Sequence, residues 1–376
     1  MTAAGDAPEV VTFGETMAAL RAAGPLRLGG PMHLTVAGAE SNVAIGLARL
    51  GHRVSWAGRV GADELGALVL RTLRAESVDV SHAVTDTSGR PTGLLIFEPR
   101  LGDLTRVSYY RAGSAGSAVA AEDVLAALAA GARVLHLTGI TPALSPAAAD
   151  AVRAAAQAAR QSGITVCLDV NFRSRLWTAG QARAVLRPLL AFTDLLVASE
   201  DELPLVADRP GATEPGAGEP GPGPPGGEAA HAAATPEEHA AAPLAAGAAE
   251  PGSGGPDPWK AADSAATPEE YAAALLAAGA GEVVIKRGAD GATAVGPSGT
   301  VHRPARRVPV ADLVGAGDAF VAGYLSGHLD GLAAAERLDR AVSVAAFAVA
   351  SRGDWEGLPT RGELPLLDAA EGTTIR

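Results

Sequence analysis

The 376 residues carry a net charge of −12, 48% apolar side chains and one cysteine, Cys167. The acidic balance argues against a nucleic-acid partner, which needs a basic face, and a lone thiol leaves neither an intrachain disulfide nor a cysteine-rich metal site. The N-terminus, MTAAGDAPEVVTFGE, has no basic start followed by a long apolar run, and no window approaches the ~20 apolar residues of a membrane span, so a cytoplasmic protein without a membrane partner is expected.

In chain order, strand-like runs at 9–14, 53–58, 133–139, 164–170, 194–199 and 282–288 alternate with Ala/Leu-rich helical stretches. The helices are expected at 40–50, 63–75, 146–161, 178–190 and 341–353. Such alternation predicts an α/β fold: a mostly parallel central sheet flanked by helices on both faces, with ligands at the carboxyl ends of the strands. Residues 18–36 and 89–111 break the rhythm. TGLLIFEP and TRVSYYR within them read as an antiparallel pair, which predicts a small β-lid.

Residues 207–264 differ in kind. They hold 11 of the 26 prolines and nine acids against Arg209 and Lys260, and Leu244 and Trp259 are their only large apolar side chains. Such a segment buries too little to offset the entropy of ordering and reads as a disordered insertion. ATPEEHAAAPLAAGA at 234–248 nearly repeats ATPEEYAAALLAAGA at 266–280. The second copy predicts a helix with Pro268 in its first turn; the first has Pro243 inside, where it breaks one. A single domain is therefore expected over 9–206 and 265–360, with a partner-binding role for the insertion as the alternative.

The stretch DLVGAGDAF, 312–320, carries the chemistry. A helix beginning near Gly317 offers unpaired N–H groups and the positive end of its dipole, and glycines let an anion reach the backbone. Asp318 in such an anion hole conflicts with it unless the carboxylate takes a proton from a hydroxyl while phosphate arrives beside it. The alternative is an N-capped helix after a tight turn.

This stretch resembles the second signature of the ribokinase-like carbohydrate kinases, the PfkB family, and AGAESNVAIGLARLG (37–51) with GRVGADELG (58–66) resembles the first. With the insertion set aside, the resemblance runs from about Val10 to about Pro359. It implies a ribokinase-like fold, ATP and Mg²⁺. It makes Asp318 the base, and Gly315, Ala316 and Gly317 the donors to the transferred phosphoryl group. Asp312 matches an acid linked in the family to a structural monovalent cation such as K⁺. Mg²⁺ would bridge the phosphates, mostly through water. The family's Asn-x-x-Glu motif becomes Ser199 and Glu202, leaving Glu202 as an indirect metal contact or a solvated helix acid. KRGADGA (286–292) matches the nucleotide-side turn, with Lys286, Gly288 and Gly291 near the nucleotide. Neither lysine follows a glycine, so a P-loop is excluded. Helix 341–353 would close the adenine pocket or simply pack.

Gly38 and Asn42 match positions that touch the sugar in relatives, against a plain capping role for AGAES. Where fructokinase-like members carry an aspartate, GETMAAL places Ala19. SYYRAGSAGSA (108–118), LDVNFRSRLW (168–177) and HLTGITPALSP (136–146) resemble the 2-keto-3-deoxygluconate kinases within the family. There Tyr109 and Arg111 would approach from the lid, Ile140 would lie against the substrate, and Arg173 would hold its carboxylate. A guanidinium fork suits a planar carboxylate, which fructose and ribose lack; the plain alternative for Arg173 is a surface salt bridge. Leu95 stands where some relatives carry a tyrosine, which keeps the galactonate epimer open. The reading is an ATP-dependent sugar-acid kinase, with a neutral-sugar kinase and a non-catalytic sugar or nucleotide sensor as alternatives, and a homo-oligomer is expected because such lids often pair.

Overall fold

The computed structural model describes residues 7–101, 104–208 and 266–369. Its strands are β1 (Val10–Phe13), β2 (Met17–Ala22), β3 (Met32–Ala37), β4 (Val54–Ala57), β5 (Arg59–Gly61), β6 (Val84–Asp86) and β7 (Leu94–Leu101), followed by β8 (Leu104–Tyr110), β9 (Val134–Thr138), β10 (Thr165–Asp169), β11 (Leu195–Ser199), β12 (Glu282–Lys286), β13 (Ala292–Gly296) and β14 (Gly299–Arg303). The α-helices are α1 (Ala39–Arg49), α2 (Glu64–Ala75), α3 (Ala121–Ala129), α4 (Pro146–Gln161), α5 (Ala179–Leu186), α6 (Leu203–Val206), α7 (Pro268–Ala277), α8 (Ala316–Leu329) and α9 (Ala334–Val349).

The main sheet runs β14-β13-β12-β11-β10-β9-β1-β4. Pairing is parallel from β4 to β12 and antiparallel only across β13 and β14. The apolar runs of the central strands follow from burial on both faces. One face presents Val10, Trp56, Val134, Cys167, Val197 and Val284 to the core shared with α1, α8 and α9. The alternate residues Val11, Leu135, Val166 and Leu196 are buried on the other, where α4 lies over β9 and β10. Gly46 of α1 lets α8 come close, since a Cβ there would lie 2.7 Å from the Ala322 methyl.

Helix starts follow their capping chemistry. Asp63 accepts from Gly66 N–H (2.7 Å), Ser145 caps α4 ahead of Pro146, and Thr267 with Glu270 caps α7 ahead of Pro268. Two expected helices have other limits. The stretch 178–190 is helical only to Leu186 and tightens into a 3₁₀ turn over Arg187–Phe192, because Pro188 has no N–H to continue the ladder. The last long helix begins at Ala334, where Glu336 accepts from Ala333 N–H (3.0 Å), and ends at Val349, ahead of Gly353 at φ 118°.

The lid is a second sheet, β3-β2-β7-β8, with β7 and β8 antiparallel as expected. Its inner core is Met17, Ala19, Ala37, Leu95 and Phe97, and Val314 of the GAGD loop packs against it. The lid is thus joined by apolar contact to the segment that carries Asp318.

The described residues up to 208 and from 266 onward belong to one compact unit. The expected disorder of 207–264 concerns residues that lie, from 209 on, outside those described. Its first two residues belong to the fold: Ala207 is buried and accepts from Arg183 (2.6 Å), and Asp208 pairs with Arg183 and Arg187. At the other end the fold passes 360, since Arg361 pairs with Asp330 (2.7 Å) and a 3₁₀ segment runs to Asp368. Among the described residues no helix is long and apolar enough to cross a membrane.

Candidate active site

The GAGD turn closes α8 at its N-terminus. Gly315 sits at φ 76°, and a Cβ there would come 2.1 Å from Asp354 O, so both conformation and space demand glycine. The first backbone bond of the helix runs from Ala319 N–H to Gly315 O (2.8 Å), which places Gly317 and Asp318 in the first turn, ahead of the regular ladder. Asp318 is 9% exposed. Its Oδ2 accepts from Asn42 Nδ2 (2.8 Å), which fixes the carboxylate against α1. Burial pushes the Asp318 pKa up to about 7; the Asn42 bond opposes this, Asp169 adds to it, and Arg173 and Lys286 oppose it. A carboxyl balanced near neutrality is what a general base needs.

Asn42 Oδ1 is buried without a hydrogen-bond partner, so the amide still has an acceptor to offer. Gly38, the N-cap of α1, lies against the chain after β1; a Cβ there would meet Glu15 O at 2.5 Å. The AGAES segment is therefore a helix start, and it also carries Asn42 to Asp318.

Strand ends supply the rest. Lys286, last residue of β12, reaches past β11 to Asp169 at the end of β10, Nζ to Oδ1 2.8 Å. After β10, Asn171 turns the chain at φ 40°, a left-handed conformation that asparagine tolerates better than most residues. That turn presents Phe172 N–H to Glu202 Oε1 (2.7 Å), while Glu202 Oε2 accepts from Ser199 N–H (2.8 Å). Glu202 is buried, so it is no solvated helix acid; it ties the loops after β10 and β11 together. The Ser199 hydroxyl donates to Asp201 (2.5 Å).

Arg173 follows as an exposed guanidinium with no ion pair or side-chain hydrogen bond among the described residues, close enough to Asp318 to lower its pKa. The surface salt bridge considered for it is therefore not formed with any described residue. Arg111 differs. Its guanidinium is paired with buried Glu15 (2.5 Å), which also accepts from Ser114, and it lies 5.9 Å from the ring of half-exposed Tyr109. Ile140 sits in the turn after β9, held by Thr138 and Thr141, whose hydroxyls both donate to buried Glu40 (2.6 Å each). Asp312 is paired with Arg21 of β2 (3.3 Å), which also holds Asp354 (2.9 Å) and stacks on Phe97. Gly288 (φ 55°) and Gly291 (φ 95°) shape the turn after β12; a Cβ on Gly291 would meet Arg303 O at 2.0 Å.

The model for the pfkB family carbohydrate kinases matches residues 7–223 and 257–361. The chain belongs to that family. The gap in the match falls inside the Ala/Gly/Pro-rich segment. Over 371 residues, 97% of this chain and 97% of the relative, the protein is 34% identical to the 2-dehydro-3-deoxygluconokinase of Bacillus subtilis. It is 32% identical to the enzyme of the same name from Thermoproteus tenax, over 94% of this chain and 92% of that one. A solved PfkB protein from Polaromonas sp. JS666 superposes with a TM-score of 0.73 at 33% identity, covering 97% of this chain and all of the other.

As a pfkB-family carbohydrate kinase, the chain transfers a phosphoryl group from ATP to a sugar hydroxyl, with Mg²⁺ the usual companion of the phosphates. No group of three or more His, Cys, Asp or Glu that could hold a metal occurs among the described residues. Several residues of this candidate site carry no role in the sequence reading: Asp169, Glu15, Glu40 and Arg21. Asp169 and Glu15 lie inside LDVNFRSRLW and GETMAAL, and their signal was a carboxylate at or just past the end of a predicted strand. Arg21 and Glu40 carried none, because their partners are remote in sequence.

Proposed function

We propose that the protein phosphorylates the terminal hydroxyl of 2-dehydro-3-deoxygluconate, also called 2-keto-3-deoxygluconate, using Mg·ATP. The observation that carries the acid specificity is Arg173, an exposed guanidinium without a carboxylate partner among the described residues, close enough to Asp318 to lower its pKa. A bidentate guanidinium–carboxylate contact would anchor the far end of the substrate and leave its terminal hydroxyl at Asp318. Ala19 and Leu95, paired in register and buried in the lid, offer no acid to grip the hydroxyls of a neutral sugar. The names of the two curated relatives support the same acceptor.

In this reading Asp318 takes the proton of the acceptor hydroxyl, whose oxygen forms the new bond to phosphorus. The bond from phosphorus to the bridging oxygen breaks, and ADP leaves with the electron pair. Backbone N–H groups at Gly315, Ala316 and Gly317 face the equatorial oxygens. Asn42 holds the base and offers Oδ1 to a sugar hydroxyl, with Gly38, Tyr109 and Ile140 around the acceptor and Arg111 positioned by Glu15. The nucleotide would lie over Ser199, Gly288 and Gly291. Mg²⁺ would be carried by the phosphates, with Glu202 reached through water, and when bound it neutralises phosphate charge. Because Arg21 already supplies a positive charge to Asp312, replacing K⁺ in the assay by tetramethylammonium should change the rate less than about twofold.

The fold unit would be residues 7–208 with 266–369, working in the cytoplasm. The lid exposes Leu28 (74%), Leu101 (77%), Leu104 (67%) and Tyr110 (60%), which supports pairing with a second copy, read as a dimer mass by light scattering. The deciding experiment is an ADP-release assay with Mg·ATP and 2-dehydro-3-deoxygluconate, its galactonate epimer, gluconate, fructose and ribose. A clear preference for the keto-deoxy acids is expected; a preference for fructose or ribose would refute the acid assignment.

A further inference from the structure

Lys286 is the one lysine among the described residues, and it ends a strand directly at the phosphate side of the site. Its side chain is 18% exposed, its ammonium lies 2.8 Å from Asp169, and a Cβ placed on Gly317 would lie 3.8 Å from Nζ. The ammonium therefore stands between a strand-end carboxylate and the GAGD turn, opposite the helix N-terminus and within the field of Asp318. Asp169 is 2% exposed and has Asn171 as its other neighbour (3.4 Å). The pair is thus aimed by β10 and β12, two rigid elements, and not by a loop.

We propose that Lys286 is a catalytic residue that meets the phosphoryl group in flight between nucleotide and acceptor, and that Asp169 is the positioning residue that aims it. The proposal rests on the kinase reading above and adds a side-chain cation to the backbone donors of the GAGD turn. In the transition state the phosphoryl oxygens spread their charge, and a fixed ammonium in a largely dry site stabilises that charge without reorganising at the moment of reaction. Lys286 moves no proton; it gains a second anion as the phosphoryl group passes, while the hydroxyl proton goes to Asp318 and ADP leaves with the electron pair.

The surroundings explain why the cation needs Asp169. Burial works against the Lys286 charge, yet Asp169 first, then Glu202 and Asp318, outweigh it, and the net effect raises its pKa. His136 on β9 and Cys167 on β10 also feel Lys286 and stay neutral, since burial pulls the histidine down to about 4 and pushes the thiol up. Without Asp169 the ammonium would lose its strongest support and release its proton at lower pH.

The test uses the full chain carrying Lys286→Met, Lys286→Arg, Asp169→Asn and the double variant Lys286→Met/Asp169→Asn, which leaves no lone ion in the core. Each is titrated with Mg·ADP, then with Mg·ADP plus aluminium fluoride, a mimic of the phosphoryl group in flight, and assayed for ADP release. Mg·ADP alone should bind within about threefold of wild type throughout. Lys286→Met and the double variant should lose the tightening brought by aluminium fluoride and about 10²–10³-fold in kcat, and Lys286→Arg should recover part of both. In Asp169→Asn the alkaline limb of kcat should move to lower pH, which a purely structural brace would not do. Lys286→Met retaining more than about a third of kcat, or the full fluoride tightening, would overturn the proposal, as would equal loss of plain Mg·ADP binding. A wild type that prefers a neutral sugar would refute the sugar-acid reading alone, because the fluoride titration and the ratio of rates do not depend on which acceptor is used.

Discussion

Replacing Asp318 by asparagine should make the protein inactive and more stable at once. The carboxyl is buried in the first turn of α8 and bonded by Asn42, and its pKa rises from 3.8 to about 7, chiefly through burial. A raised value means that the folded chain holds the proton more tightly than the unfolded one. The cost of the charge therefore sets in as pH rises from about 4 and is complete above about 7. At about 1.4 kcal/mol for each tenfold change in proton affinity, it amounts to roughly 4 kcal/mol at pH 8. Asparagine keeps the shape and can still accept from Asn42, so at pH 8 Asp318→Asn should gain about 2–4 kcal/mol over wild type, and the two should converge near pH 4. Turnover should fall by about 10²–10⁴-fold, with Mg·ADP binding retained. Urea unfolding at pH 8 and pH 4.5, paired with ADP release, measures both. A variant less stable than wild type at pH 8 would refute the burial argument, and one keeping more than about a tenth of the rate would refute the base. In wild type, kcat/KM should rise with pH through about 7 as Asp318 loses its proton.

Arg173→Ala should raise the KM for the acid acceptor by about 10–100-fold, the worth of a charge-assisted pair, and leave the KM for ATP nearly unchanged; equal effects on both would place Arg173 elsewhere. Since Arg173 lowers the Asp318 pKa, the acidic limb of the same variant should also move to higher pH. Gly315→Ala should cost about 2 kcal/mol or more, because it adds a Cβ at a left-handed φ and against Asp354 O; an unchanged melting temperature would contradict the close approach. Deleting 209–262 should leave activity within a few-fold, since the family match itself lapses inside that stretch, and an inactive deletion would make the segment part of the working fold.

Much of this protein is written locally. The alternation of apolar runs with capped helical stretches implied a parallel sheet before any strand was paired, because a strand buried on both faces needs apolar residues at every position. DLVGAGDAF announced its own geometry, since a left-handed turn, a helix start and a stray carboxylate are all properties of neighbouring residues. The limits of α5 and α9 escape an apolar pattern, because Pro188 and Glu336 act over one turn.

What the tertiary structure alone decided is which charges answer one another. The sequence leaves Glu202 as an indirect metal contact or a solvated acid, and the fold makes it a buried tie between two loops. Arg111 and Arg173 look equivalent in sequence, yet one faces Glu15 and the other has no partner among the described residues. Lys286 is expected near the nucleotide from KRGADGA, and only the fold shows its approach to Asp169, 117 positions away, which holds the ammonium in place. Local pattern sets backbone conformation because φ, ψ and capping depend on near neighbours. The field at Asp318 depends on burial and on charges brought in by other strands, and those distances exist only once the sheet is assembled.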